Sequence, residues 1–172
     1  LPFAIDRTAR AAVRLRPDSG IRLLSTFGNQ GLTTADAGSL ERGTAKGWTK
    51  YPLGVVWALQ QLGQPVRGLE LLLDSDVPRG GGLSSSHAIE CAVITALNEL
   101  TAAGLDDRDM VLATQRAEND FVGAPTGIMD QSASLRGAAG HALFLDCRSQ
   151  DIRLVPFDAD SAGLVTLVID TK

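Results

Sequence analysis

Lysine is nearly absent from most of the chain: none lies between Lys50 and Lys172. That gap excludes a Walker-type phosphate loop, whose G-x-x-x-x-G-K-[ST] pattern sets a lysine against the phosphates. No G-x-G-x-x-G fingerprint occurs either, so a Rossmann dinucleotide site has no support. Aromatic residues make up only 5% of the sequence, and the net charge is −4. Base-stacking platforms and a basic stripe are both unsupported, so no nucleic-acid partner is expected. Two cysteines, Cys91 and Cys147, form no C-x-x-C, and two histidines are too few for a histidine-rich metal site. A reduced, cytoplasmic setting is expected, with Cys91 a small core residue. No apolar run approaches transmembrane length, so no membrane partner is expected. The opening LPFAIDRTAR lacks the regions of a signal peptide, and residue 1 is Leu rather than Met, so a start further upstream is expected. No G-x-S-x-G elbow is present, and Ser86 and His87, as helix neighbours, point about 100° apart. His87 and His141 therefore read as surface or packing residues rather than as a catalytic base.

What is present suffices for one domain: 172 residues with 44% hydrophobic content can bury a real core. Ala12–Arg16 alternates apolar and charged residues, Pro17–Gly20 is turn chemistry, and Ile21–Phe27 returns, which predicts a hairpin. Residues 28–47 are polar and glycine-rich and read as a surface connection. A helix is predicted from Trp48 or Thr49 to about Gln61, with Pro52 in its first turn and Gly63 ending it. A strand follows over Leu69–Leu73, then a long helix closed by Gly104. Asp106 caps another helix, which runs through about Asp120. Phe121–Gln131 reads as a shaped loop leading into a short helix up to Leu135. Three strands are predicted to finish the chain, over Ala142–Asp146, Ile152–Phe157 and Val165–Asp170. Strands, then helices, then strands imply an α+β fold rather than regular βαβ alternation.

Two stretches carry candidate chemistry. In Pro78–Glu99, Gly80, Gly81 and Gly82 let backbone amides approach a ligand without Cβ interference. Ser84, Ser85 and Ser86 suit a helix start, where hydroxyls satisfy free amides. A glycine-rich turn opening on a helix N-terminus attracts anions, because unpaired N–H groups and the helix dipole both favour phosphate. A tight strand-to-helix turn alone would also account for these glycines. The second stretch holds Glu118 and Asp130, twelve residues apart across a Gly/Pro turn. Glu118 with a serine hydroxyl would make an oxygen-only Mg2+ site, and Asp130 near a helix start can face an acceptor hydroxyl. Two ordinary exposed acids would have the same spacing.

Taken together, these stretches resemble galactokinase, a member of the GHMP small-molecule kinase superfamily. Pro78-Arg-Gly-Gly-Gly-Leu-Ser-Ser-Ser86 is similar to the P-x-x-x-G-L-x-S-S phosphate motif of that superfamily. Ala117-Glu-Asn-Asp-Phe-Val-Gly123 and Gly127-Ile-Met-Asp-Gln131 resemble the galactokinase segment that carries the base. His141-Ala-Leu-Phe-Leu-Asp-Cys-Arg148 and Leu1-Pro-Phe-Ala-Ile-Asp6 also look like galactokinase segments. The resemblance implies that Gly80, Gly81, Gly82, Leu83, Ser84, Ser85 and Ser86 cradle the phosphates of ATP. It further implies Ser86 and Glu118 as Mg2+ ligands, Gly127 at the sugar, and Asp130 taking or orienting the proton of the galactose C1 hydroxyl. Trp48 is implied to lie against the adenine.

The implied fold is the N-terminal lobe of a two-lobed α+β kinase, similar to ribosomal protein S5 domain 2. The family's first motif, which contributes sugar contacts, and its second lobe are not in this stretch. A single incomplete lobe over residues 1–172, inactive by itself, is therefore expected. His87 stands where the family usually carries a small residue. Another superfamily kinase, such as one for N-acetylgalactosamine, and a non-catalytic sensor of sugar and ATP are the alternatives.

Overall fold

A computed structural model of the protein describes residues 1–27 and 31–169. Its layout is set by β4 (Gly68–Ser75), an apolar run that needs neighbours on both edges. Leu69, Leu71 and Leu73 of β4 are buried on one face. β4 pairs antiparallel with β1 (Ala9–Arg16) and parallel with β2 (Gly20–Ser25). β2 in turn pairs antiparallel with β3 (Thr33–Asp36), giving the order β1-β4-β2-β3. The hairpin expected over residues 12–27 is thus corrected: both strands exist, but β4 lies between them. Residues 17–19 do turn the chain, but the turn spans β4 instead of joining paired neighbours. Residues 17–19 pass over the start of β4, where a Cβ on Gly68 would lie 2.4 Å from the Asp18 carbonyl oxygen and 2.5 Å from that of Gly20.

β3 falls inside the stretch expected to be a surface connection; its polar threonines suit an edge strand, where polarity discourages further pairing. The face of the sheet opposite the core carries charge. Glu70 meets Arg14, Arg16 at 2.9 Å and Arg22 at 3.4 Å, while Arg10 reaches Asp74 at 3.3 Å. The Arg14 hydrogen bond, ahead of the other arginine contacts, holds the Glu70 carboxyl below its ordinary value. Such exposed pairs add little stability. They do match a single register, because a one-residue slip would turn Glu70 into the core.

The other face is covered by helices. α1 (Lys50–Gln61) and α2 (Ser85–Thr101) place Val55, Leu59, Val93, Ile94 and Leu97 in one cluster with Ile21, Leu23 and the β4 leucines. α1 starts and ends where its Pro52 and Gly63 predict. α3 (Asp107–Arg116) opens on a full capping box between Asp106 and Asp109. It does not run on as an α-helix to Asp120: the chain widens into a π-helical turn over Ala117–Val122. α4 (Met129–Arg136) follows, and β5 (His141–Leu145) pairs with β6 (Ile152–Pro156) in a separate antiparallel ribbon. The N-terminal segment docks on this ribbon through Leu143 N–H to the Pro2 carbonyl, at 2.7 Å, and through Phe3 against Phe157.

The third closing strand is corrected. Val165–Ile169 form no strand, and Asp170 lies outside the described residues. Their β-branched composition fits a pleated surface only when another strand is there to pack against, and Val165 and Leu167 are exposed. Sheet on one side and helices on the other make the expected α+β architecture. No helix among the described residues is long and apolar enough to cross a membrane.

Candidate active site

The glycine loop leaves β4 through buried Val77 and turns into α2. Gly80 and Gly82 have φ of +79° and +70°, and Ser84 repeats the left-handed conformation at φ 55°. For a non-glycine residue this costs on the order of 1 kcal/mol. Ser84 is the N-cap of α2, yet its hydroxyl caps nothing: it donates instead to Asp130 Oδ2, at 2.5 Å. The expectation that this serine satisfies a helix amide is therefore corrected. The first-turn amides of α2 keep no N-cap side-chain acceptor, and the loop is tied directly to the candidate base.

Glu118 lies in the π-helical turn and is only 2% exposed. Two features seat that turn on α1. A Cβ on Gly54 would stand 3.3 Å from Phe121 Cδ1 and 3.4 Å from Ala117 Cβ, so the glycine permits close approach. Trp57 also packs on Phe121, with ring centroids 5.9 Å apart. The loop between the turn and α4 is bracketed by Asn119. Its Oδ1 accepts from Thr126 N–H at 2.8 Å and its Nδ2 donates to the Thr126 carbonyl, to which Gln115 also donates. Sequence reasoning missed Asn119, Gln115 and Thr126; an amide side chain just before a Gly/Pro turn was the available signal.

His87, expected at the surface or in packing, is buried between the two acids. Its Nε2 lies 3.8 Å from Glu118 Oε1 and its Nδ1 lies 3.5 Å from Asp130 Oδ2. Ser86 Oγ is 3.4 Å from the same Nδ1, a contact that the angular argument between helix neighbours did not anticipate. Ser84, Ser86, His87, Glu118 and Asp130 thus form one connected group. Gly127 is exposed, with nothing within 4 Å of where a Cβ would stand. Trp48 is apart from the group. It is 7% exposed, lies in the core and meets Phe27 edge-on at 5.8 Å, and its Nε1 has no partner among the described residues. Phe27 itself lines a crevice of about 200 Å³ with Arg79, Ser85 and Ile89. A groove of about 800 Å³ holds Asp130, Gly82, Leu83 and Ser84 together with the N-terminal segment.

One turn beyond His87, Glu90 is fully buried, and neither carboxyl oxygen has a hydrogen-bond partner among the described residues. Burial first, and then the charge of Glu118, push it well above the ordinary value of 4.5, with Lys50 pulling slightly back. The folded protein therefore retains this proton in a pH range where the unfolded chain releases it, so stability falls as pH rises above about 4.5. Glu90→Gln has the same shape and no proton to lose. It is expected to raise the melting temperature at pH 8 and to lose that advantage as pH falls through 4.5. Melting curves across this range test it, and a pH-independent difference would contradict the assignment.

Among the described residues, no cluster of three or more His, Cys, Asp or Glu side chains is arranged to hold a metal. Ser86 and Glu118 offer hydroxyl and carboxylate oxygens, the hard donor type that Mg2+ takes together with substrate phosphates and water.

Residues 50–138 match the family described as GHMP kinases N terminal domain. Over all 172 residues the chain is 45% identical to a galactokinase of Streptomyces coelicolor, covering 44% of that protein. It is 43% identical over 130 residues to a galactokinase of Mycobacterium tuberculosis, covering 76% of this chain and 36% of the relative. The chain thus spans less than half the length of the curated relatives it matches. Its fold superposes on Lactococcus lactis galactokinase complexed with galactose with a TM-score of 0.85, at 30% identity, over 91% of this chain and 41% of the other. Mevalonate kinase of Methanococcus jannaschii shares the fold with a TM-score of 0.67 at 21% identity, over 77% of this chain and 42% of the other. The matched range covers just over half of the chain and spans the glycine loop, Glu118 and Asp130, and on that match the chain belongs to the GHMP kinases and carries their N-terminal domain.

Proposed function

We propose that the full-length protein is a galactokinase, transferring the γ-phosphoryl group of ATP to the C1 hydroxyl of galactose. The observation that carries this reading is the Ser84–Asp130 hydrogen bond, which joins the candidate base to the glycine loop. Phosphoryl transfer asks the protein mainly for positioning and charge neutralisation, so the phosphate cradle and the base must be neighbours.

In this reading the amides of Gly80–Ser86 and the serine hydroxyls hold the ATP phosphates. Ser86 Oγ and Glu118 hold Mg2+, which when bound neutralises charge on the phosphate oxygens. Asp130 faces the large groove, where the sugar binds, and Gly127 offers an approach unobstructed by a side chain. Asp130 accepts or orients the C1 hydroxyl proton through its carboxylate while Ser84 keeps that carboxylate at the loop. Trp48, which packs on Phe27 in the core, is the residue proposed for the adenine side. The domain over residues 1–172 is read as the nucleotide-binding lobe, with the remainder of the sugar site supplied from outside these residues.

The test is a coupled assay of the full-length protein with ATP, Mg2+ and a panel of sugars. ADP release that depends on galactose is expected. Release with N-acetylgalactosamine and not galactose would reassign the substrate. Calorimetric binding of galactose and ATP without release would make the protein a sensor.

A further inference from the structure

Three helical segments converge on one imidazole, and nothing in the proposed reaction yet uses it. His87 comes from the first turn of α2, Glu118 from the π-helical turn, and Asp130 from the first turn of α4. The ring addresses one acid with each nitrogen: Nε2 toward Glu118 at 3.8 Å and Nδ1 toward Asp130 at 3.5 Å. With its side chain only 9% exposed, the ring has little freedom to swing away. A ring that only filled volume would not need nitrogens aimed at carboxylates from two other elements.

We infer that His87 is a positioning residue that sets the spacing between the cation-holding carboxylate and the base. The inference rests on the kinase reading of the same site. Asp130 Oδ2 accepts from the Ser84 hydroxyl and has His87 Nδ1 3.5 Å away, both at the start of α2. Among the described residues, the His87 ring supplies the only basic side-chain nitrogen within 4 Å of the Glu118 carboxylate. The imidazole therefore ties the acid that organises the phosphates to the acid that organises the acceptor hydroxyl. The two act at a fixed separation even though they belong to different elements.

The two nitrogens can be separated by isosteres. Asn places its amide near the Nδ1 position and Gln places its amide near the Nε2 position, so each keeps one contact. In the full-length protein, His87→Ala is expected to lower kcat about tenfold and to raise the Mg2+ concentration for half-maximal rate about tenfold, as for other outer-shell partners. His87→Asn should restore kcat and not the Mg2+ requirement; His87→Gln should do the reverse. His87→Leu, which fills space without nitrogens, should behave as His87→Ala. Wild-type kinetics in His87→Leu, or identical kinetics in the Asn and Gln variants, would overturn the inference.

A readout independent of turnover is the 15N chemical shift of the His87 ring. It should move in both Glu118→Gln and Asp130→Asn. A ring that responds to neither acid defeats the positioning role. A responding ring in a protein without phosphoryl transfer instead defeats only the kinase reading.

Discussion

Asp130→Asn in the full-length protein is expected to lower phosphoryl transfer by about two to four orders of magnitude, the range that general acid–base groups supply. The exchange is nearly isosteric, and the Asn carbonyl still accepts the Ser84 hydroxyl, so the loop keeps its anchor. ATP affinity should therefore be unchanged when measured by calorimetry, while turnover is lost. What disappears is a negative oxygen able to take or steer the acceptor proton. Near-normal turnover in this variant would remove Asp130 from the chemistry. Weakened ATP binding together with lost turnover would instead make it a structural support of the loop.

The second large effect is on stability. Gly68→Ala places a methyl group 2.4 and 2.5 Å from the carbonyl oxygens of Asp18 and Gly20. Both are backbone atoms of a turn fixed by Arg16–Asp18 contacts and by its passage over the sheet, so neither can swing aside. The cost is expected near the upper end of the overpacking range, about 3 kcal/mol. It should be seen as a marked drop in melting temperature or as failure to accumulate. Gly31→Ala serves as the contrast, because a Cβ there meets nothing within 4 Å. Equal melting temperatures for the two variants would show that the turn does not rest on β4.

Local signals in the sequence were reliable where the chain satisfies itself. The cap at Asp106 and Pro52 in the first turn of α1 both describe interactions completed within a few residues. The order of the strands was not legible, because it depends on β4 meeting two partners from far away, and Gly68 carries no mark distinguishing it from other glycines. At the site, the glycine loop, Glu118 and Asp130 were visible as motifs. Their connection was not: Ser84 could be read only as a cap, since its competing acceptor lies 46 positions downstream. His87 is buried, as a packing residue would be, but its acidic neighbours were hidden for the same reason. Considering only its neighbours on the helix leaves out two acids delivered by other elements, and burial between them gives the ring its meaning.

Gly54 bears on any attempt to make this protein more robust. Replacing helical glycines with alanine is a routine route to thermostability, worth about 1 kcal/mol each from propensity. At residue 54 the added methyl would press on the Phe121 ring and on Ala117, on either side of the residue that carries the Glu118 carboxylate. A heat-resistant variant selected without an activity screen could accept that exchange and displace the acid by a few tenths of an ångström. Gly54 at the centre of α1 therefore sets how closely the turn carrying Glu118 approaches that helix, and stabilising work belongs on other helices.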